Sequence, residues 1–180
     1  MRRVAIVGPP GSGKSTLAGT IAARYGLRHV ELDAINHQPD WTPLPVPEFR
    51  QRVTKAIVND GWVVDGNYRP VQDLVQGAAD TIIFLDLSRW LVTARVAWRS
   101  LRRVITREEL WNGNRESMRN LVSRDPERNI IVWAWQHQPK YRELYGGFIR
   151  DGYWDHADVH HLRTPSDVRS FVVALPDARD

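Results

Sequence analysis

Eight consecutive residues, Gly8-Pro9-Pro10-Gly11-Ser12-Gly13-Lys14-Ser15, fill the pattern G-x-x-x-x-G-K-[ST] without a gap. Their neighbours decide what fold can carry them. Arg3-Val4-Ala5-Ile6-Val7 in front is a β-branched run suited to a buried strand. Ser15 to Tyr25 behind places Leu17, Ala18, Ile21, Ala22 and Tyr25 at helical spacing. In a strand, glycine loop, helix unit, consecutive backbone N–H groups turn inward on an anion, the helix N-terminus adds partial positive charge, and Lys14 supplies a point charge. The expected cradle for the phosphates of ATP is Gly8, Pro9, Pro10, Gly11, Ser12, Gly13, Lys14, Ser15 and Thr16, with the Ser15 hydroxyl on Mg²⁺. The plain alternative is a glycine turn beside a surface lysine. The apolar strand ending at the first glycine, with Thr16 directly after Ser15, argues against it.

The rest of the chain repeats the alternation. Gly26 is a helix stop, and Leu27 to Leu32 forms a second short strand that ends in the carboxylate of Asp33. Ala34 to Pro47 carries four prolines and reads as a stiff loop. A helix is expected from Glu48 to Asn59 through Phe49, Val53, Ala56 and Ile57, then a third strand, Trp62-Val63-Val64, ending at Asp65. A brief helix through Val71, Leu74 and Val75 precedes the fourth strand, Thr81 to Leu87. Ser88 is the N-cap of a long helix reaching about Ile105. On that helix Leu91, Ala94, Trp98, Leu101 and Ile105 make an apolar stripe, while Arg95, Arg99 and Arg102 share another face.

Thr106 to Pro126 is poor in aliphatics and rich in arginine, and reads as a mobile, partly helical segment. A helix is expected to start near Pro126-Glu127 and to break at Pro139. Trp98, Trp133 and Trp135, at helical spacing, read as core and lid packing. A fifth strand at Val159 to Leu162 would turn His160 and His161 to opposite faces, which argues against a shared metal site. Thr164-Pro165-Ser166-Asp167 opens a last helix with Val168, Phe171 and Val172 on one face. Strands alternating with helices, without hairpin signals, predict a parallel sheet covered on both faces: an α/β P-loop three-layer sandwich of five strands.

With 180 residues, one domain spanning 1–180 is expected, with an acceptor-side insertion at about 34–60 and a lid at about 106–126. Twenty-five Lys and Arg against 21 Asp and Glu leave a net charge of +4, which favours a phosphate-bearing partner. The lack of cysteine excludes disulfides and thiolate chemistry. The first strand starts within two residues of Met1 and no apolar run reaches membrane length, so the expected location is the cytoplasm and no membrane partner is expected.

Once the carboxylate-ended strands are placed, the pattern resembles the nucleoside monophosphate kinase group of P-loop kinases, with adenylate kinase as the best-known member. Val63-Val64-Asp65-Gly66-Asn67-Tyr68-Arg69 is similar to that enzyme's apolar-apolar-Asp-Gly-Phe-Pro-Arg segment, with Asp, Gly and Arg at the same offsets. Trp62 to Tyr68, and Asp80 to Asp86 before an arginine-rich helix, look like bacterial proteins named topology modulation protein or adenylate kinase-related. The resemblance implies five parallel strands, an acceptor-side insertion, an arginine-rich lid and an ATP-dependent kinase activity. It also implies that Arg69 holds an acceptor phosphate. Three departures stand out: no Thr-Gly-Asp-Met-Leu-Arg type segment follows Asp33, Asn67-Tyr68 replaces Phe-Pro, and the lid lacks a Gly-Arg-Arg opening.

Phosphoryl transfer requires a cradle, a metal, arginines and a carboxylate near the acceptor. Beside Lys14, Asp65 is expected to order metal-bound water, so that Ser15 and Asp65 are the metal-side pair. Asp86 is the rival, with a plain role in capping the next helix. Asp33 is a candidate to orient or deprotonate an acceptor hydroxyl or to help place Mg²⁺, or else a loop cap. Arg107 and Arg115 are the first lid candidates for the transferring phosphoryl group. Arg119, Arg124 and Arg128 are the others, or ion partners of Glu108, Glu109, Glu116 and Asp125. Trp41 is the residue for stacking on a base or sugar, beside Asp33 and Arg69. The expected function is transfer of the γ-phosphoryl of Mg-ATP to a small-molecule acceptor, either a nucleoside monophosphate or a sugar or nucleoside hydroxyl. The alternative is a nucleotide-switched regulator or ATPase associated with DNA topology. Its only support is the arginine face from Arg95 to Arg103 and the family's topology name, since no helix-turn-helix or zinc-finger module is present to read nucleic acid.

Overall fold

The structure, a computed structural model, describes residues 1–59, 61–123, 125 and 129–176. Its five strands are β1 (Arg3–Val7), β2 (Arg28–Glu31), β3 (Trp62–Asp65), β4 (Thr81–Leu85) and β5 (Asp158–Leu162). They pair in parallel throughout, in the order β2-β3-β1-β4-β5. Successive side chains alternate between the two faces, and both faces are covered. Val4, Ile6, Val63, Ile83 and Leu85 pack with Leu17, Ala18, Ile21 and Ala22 of α1 (Lys14–Tyr25). Ala5, Val7, Val64, Ile82 and Phe84 share the opposite core with Phe49 and Val53, and with Tyr145 and Trp154. This is the expected three-layer α/β sandwich. From β1 the chain moves outward to β2 on one side, and from β3 it crosses to β4 on the other, so a crevice opens beyond the carboxyl end of β1.

The acceptor-side segment is more regular than its prolines suggest. Asp33 does not end a strand; it lies in the first turn of a short helix, α2 (Leu32–Asn36), where a carboxylate is favoured by the exposed N–H groups. Pro39–Trp41 forms a 3-10 turn, and α3 runs Val46–Ala56 with Pro47 in its first turn, where no N–H is required. The expected loop from Ala34 to Pro47 therefore contains parts of two helices. After β3, a 3-10 turn at Arg69–Val71 leads into α4 (Gln72–Ala78).

Helix α5 (Arg89–Thr106) is capped by Ser88, whose hydroxyl accepts from the Leu91 N–H at 3.4 Å. Its buried residues are Val92, Val96 and Ser100, whereas Trp98 is 71% and Ile105 72% exposed. The expected apolar stripe is thus the outer face. The buried row is narrow because the glycine loop lies against it: a Cβ on Gly11 would sit 2.4 Å from the Val92 carbonyl oxygen. Beyond α5, a 3-10 turn at Trp111–Gly113 and α6 (Met118–Leu121) lead to α7 (Ile130–Arg150). Asn129 caps α7 by accepting from the Ile131 and Val132 N–H groups. The expected start at Pro126 and Glu127 lies outside the described residues.

Contrary to expectation, α7 does not break at Pro139. Proline cannot donate to the Trp135 carbonyl, the partner four residues back. Arg89 takes that place: its Nε donates to the Trp135 carbonyl at 2.6 Å, and its guanidinium lies 3.7 Å from the Trp135 ring centroid. Helix α8 (Pro165–Ala174) opens with the capping box of Thr164 and Asp167. Asp86 does not cap α5. Its carboxylate is buried and accepts from Arg142 Nε at 2.8 Å and pairs with His161 Nε2 at 3.1 Å, which ties α7 to β5.

Candidate functional site

The phosphate loop is held by its own backbone and by Asn67. Gly8 donates its N–H to Asn67 Oδ1 at 3.2 Å and accepts from Asn67 Nδ2. Gly8, Gly11 and Gly13 all have positive φ, at 143°, 77° and 96°. At Gly8 space is limiting as well, since a Cβ would lie 2.5 Å from the Leu85 carbonyl oxygen. Lys14 Nζ donates to the carbonyls of Gly8 at 2.9 Å and Pro9 at 3.1 Å. An ammonium has three hydrogens, so one remains for a ligand. The buried Ser12 hydroxyl has no partner among the described residues. Burial pulls the Lys14 ammonium below its ordinary value and Arg99 pushes the same way, while Asp33 and Asp65 oppose them.

These groups open on a cleft of about 1190 Å³ at the carboxyl end of the sheet. One small ligand needs about 300–1,000 Å³, so this cleft has room for a nucleotide and a second molecule together. The phosphate loop and α1 form one wall. Asp33, His37, Trp41, Asp65 and Tyr68 form another, and Arg95, Arg99 and Arg103 of α5 line a third part. Asp65 is buried at the end of β3, with His29 Nε2 at 3.3 Å from its Oδ1. The hydrogen bond to Asp65 raises the His29 pKa. Asp33 Oδ1 accepts from the Tyr68 hydroxyl at 2.7 Å, and Tyr68 lies 3.1 Å from His37 Nε2. Burial, and then the Asp33 charge, keeps that phenol protonated well beyond its ordinary range.

The expected site residues separate into two groups. Pro10, Gly11, Ser12, Gly13, Lys14, Ser15, Thr16, Asp33, Trp41 and Asp65 line the cleft. Gly8 and Pro9 do not, their carbonyls being held by Lys14, and neither do Arg69, Arg107 and Arg115, all three of which are exposed. Arg69 begins the 3-10 turn beside Pro70, which rotates it out of the crevice. Arg107 caps α5 in the left-handed conformation, with φ of 51°. Arg115 pairs with Glu109 at 3.2 Å on the outside. Arg119 is likewise exposed, and Arg124 and Arg128 lie outside the described residues.

The arginines of the cleft lie instead at i, i+4 and i+8 on α5. Sequence reasoning grouped Arg95 and Arg99 with Arg102, but Arg102 turns to Glu108 at 2.9 Å, and Arg103 takes the inward place beside Glu116 at 3.0 Å. Burial lowers the Arg99 pKa and Arg103 adds to the shift. The buried Arg99 Nε has no partner among the described residues. A spacing of four from Arg99 was the available signal for Arg103. Glu31, His37, Trp111, Glu116, Tyr141 and Arg169 also line the cleft and had no sequence signal of their own.

The segment after α5 closes over the acceptor side. Asn112 Nδ2 donates to the His37 carbonyl at 2.5 Å, and Asn114 Nδ2 to the Gln38 carbonyl at 2.9 Å. Asn114 Oδ1 accepts from the Trp41 N–H at 2.8 Å, and Trp111 Nε1 donates to Glu31 Oε2 at 3.1 Å.

Among the described residues no group of three or more His, Cys, Asp or Glu could hold a metal ion by itself. The donors present suit Mg²⁺, which takes one or two protein oxygens and draws the rest from phosphate and water. Ser15, on the phosphate-loop wall, and Asp65, on the next, both bring oxygens to the cleft.

A strand, glycine loop and helix with a half-buried lysine at the switch point of a parallel sheet define a P-loop nucleotide-binding protein. Residues 4–95 match the family model described as ATPase family associated with various cellular activities (AAA), and the chain belongs to that family. It is also similar to an adenylate kinase from Haloarcula marismortui, at 33% identity over 54% of this chain and 56% of that protein. The chain thus spans little more than half the length of the curated relative it matches. No described helix is long and apolar enough to cross a membrane.

Proposed function

We propose that the chain is a small-molecule kinase that transfers the γ-phosphoryl of Mg-ATP to a small acceptor. One observation carries the reading: the Lys14 ammonium, the two carboxylates Asp33 and Asp65 and the Arg99 guanidinium line one cleft, larger than the pocket of a single small ligand, and the charges of the other three all act on Lys14. A nucleotide-binding switch requires the lysine and the metal side. It does not require a second carboxylate and an aromatic wall facing them.

In this reading the backbone of Gly8 to Thr16 holds the β- and γ-phosphates, and Lys14 follows the charge as it moves to the leaving oxygen. Ser15 and Asp65 would hold Mg²⁺, which would supply charge neutralisation. Arg99, with its free Nε, takes the phosphoryl contact that Arg107 and Arg115 were expected to make. The chain acts as one unit, with 34–60 as its acceptor-side insertion and 106–126 as its lid. Arg95, Arg99 and Arg103, from the arginine face that would favour a nucleic-acid partner, line the cleft instead.

The test compares Lys14→Met, Arg99→Ala and Arg107→Ala in ATP-binding and transfer assays. Lys14→Met should lose phosphate-dependent ATP binding. Arg99→Ala should retain ATP but lose about 10²–10³ in turnover, the usual cost of removing one donor to a developing charge. Arg107→Ala should stay within twofold. A larger loss at Arg107 than at Arg99 would refute the assignment.

A further inference from the structure

We propose that the acceptor carries no phosphate of its own: it is a flat hydroxyl compound of the nucleoside type, and Asp33 receives the proton of its attacking hydroxyl. The inference rests on the kinase reading above and deepens it.

The distribution of charge carries the first step. Among the described residues, every Lys or Arg that lines the cleft comes from the phosphate loop, α5 or α8. The wall contributed by residues 31–68 holds Glu31, Asp33 and Asp65 and no cation. The Lys and Arg residues from 31 to 69 lie elsewhere: Arg50 is bidentate with Asp73 at 2.7 and 2.8 Å, Arg52 pairs with Glu48, and Lys55 and Arg69 are exposed. An acceptor phosphate against this wall would lie beside carboxylates, with its counter-ions only on the other walls of the cleft.

The hydrogen-bond directions carry the second step. Tyr68 has one hydroxyl hydrogen and donates it to Asp33 Oδ1. Its oxygen can then only accept from His37 Nε2, which places a hydrogen on that nitrogen. Among the described residues the Asp33 carboxylate engages Tyr68 through Oδ1, which leaves Oδ2 for a ligand. With the carboxylates of Glu31, Asp33 and Asp65 on its lining, the wall offers acceptors and calls for a ligand that brings donors. A hydroxyl group meets that demand, and a phosphate dianion does not.

The aromatic rings carry the third. The Trp41 Nε1 donates to the Arg115 carbonyl at 3.3 Å and the Trp111 Nε1 to Glu31, so both indole N–H groups are already used. What the two rings offer a ligand is their faces, which suit a planar body.

In the transfer, the acceptor oxygen forms its bond to the γ-phosphorus as its O–H electron pair is released and its proton passes to Asp33 Oδ2. The bond from the γ-phosphorus to the bridging oxygen breaks, and that electron pair leaves on the nucleoside diphosphate. The proton on Asp33 then returns to water.

The test uses four matched pairs, adenosine and AMP, guanosine and GMP, cytidine and CMP, uridine and UMP. Binding to the full chain is measured calorimetrically with the ATP site saturated by a non-hydrolysable ATP analogue, and transfer from Mg-ATP is followed by product analysis. At least one nucleoside should bind tenfold or more tightly than its own monophosphate and be phosphorylated on a hydroxyl. Asp33→Asn keeps an oxygen for Tyr68, and an unchanged Tm verifies its fold. It should lower turnover by about 10²–10⁴ with little change in the KM for ATP. Tighter binding of the monophosphate in every pair, failure of all four nucleosides to bind, or an Asp33→Asn enzyme of normal turnover each overturns the proposal. If ATP binds and a monophosphate is phosphorylated, only the acceptor assignment fails; if the analogue itself does not bind, the kinase reading fails with it.

Discussion

Replacing Arg89 by Met should expose the gap that Pro139 leaves in α7. The wild-type contact is a charged donor on a backbone carbonyl at 2.6 Å, with the guanidinium over the Trp135 ring. Hydrogen bonds to charged groups contribute about 1.5–3 kcal/mol and a partly exposed cation–π contact about 0.5–1 kcal/mol. Met keeps the packing of the stem, so about 2 kcal/mol is the expected loss. For a chain of this size that is roughly 4–8 °C in Tm. The decisive measurement is a double-mutant cycle with Pro139→Ala. That change returns an N–H at the position where the Trp135 carbonyl expects its helical partner, so Arg89→Met should then cost under about 1 kcal/mol. Urea denaturation of the four proteins gives the coupling directly. If Arg89→Met costs the same in both backgrounds within about 0.5 kcal/mol, Arg89 does not substitute for the missing donor.

Gly11→Ala should destabilise the protein and abolish ATP binding, because its Cβ meets the Val92 carbonyl at 2.4 Å, whereas Gly13→Ala has open space and only backbone strain to bear, about 1–2 kcal/mol. Equal Tm losses for the two would contradict that ranking. The His29–Asp65 pair should stabilise the protein most at low pH. The folded pKa of His29 is raised, so its contribution is complete below the ordinary histidine value of about 6.5 and is lost as pH rises through the folded value. The stability difference between wild type and His29→Gln should therefore be larger at pH 6 than at pH 9, and an equal difference at both would remove the linkage.

The sheet was readable because its information is local: β-branched runs such as Thr81 to Leu85 and the glycines between strand and helix need no distant partner to be interpreted. Lys14, Asp33, Asp65 and Trp41 reach the cleft for the same reason, since strand ends and the loops after them face one edge. The choice among arginines was not readable. Arg107 and Arg115 differ from Arg99 and Arg103 only in where α5 ends and how it rotates, and that is decided by Val92 and Val96 packing beneath the glycine loop. An apolar stripe through Trp98 and Ile105 pointed to the wrong rotation, because exposed aromatics carry the same pattern as buried ones. Pro139 misled for a similar reason. The donor that replaces its N–H comes from Arg89, 50 positions earlier, and no local pattern announces it.

The three inward arginines of α5 are borne by one continuous helix, so their separations are set by its rise, about 6 Å for each step of four residues. They cannot move apart to relax their mutual repulsion. Glu108 and Glu116 answer part of that charge through Arg103, while the Nε of Arg99 finds no partner among the described residues. An anion entering the cleft is thus the counter-ion that the empty protein lacks. The ligand-free chain should be firmer in concentrated salt than in dilute buffer, and the bound chain should be nearly indifferent to it, since the charge that salt would screen is already balanced.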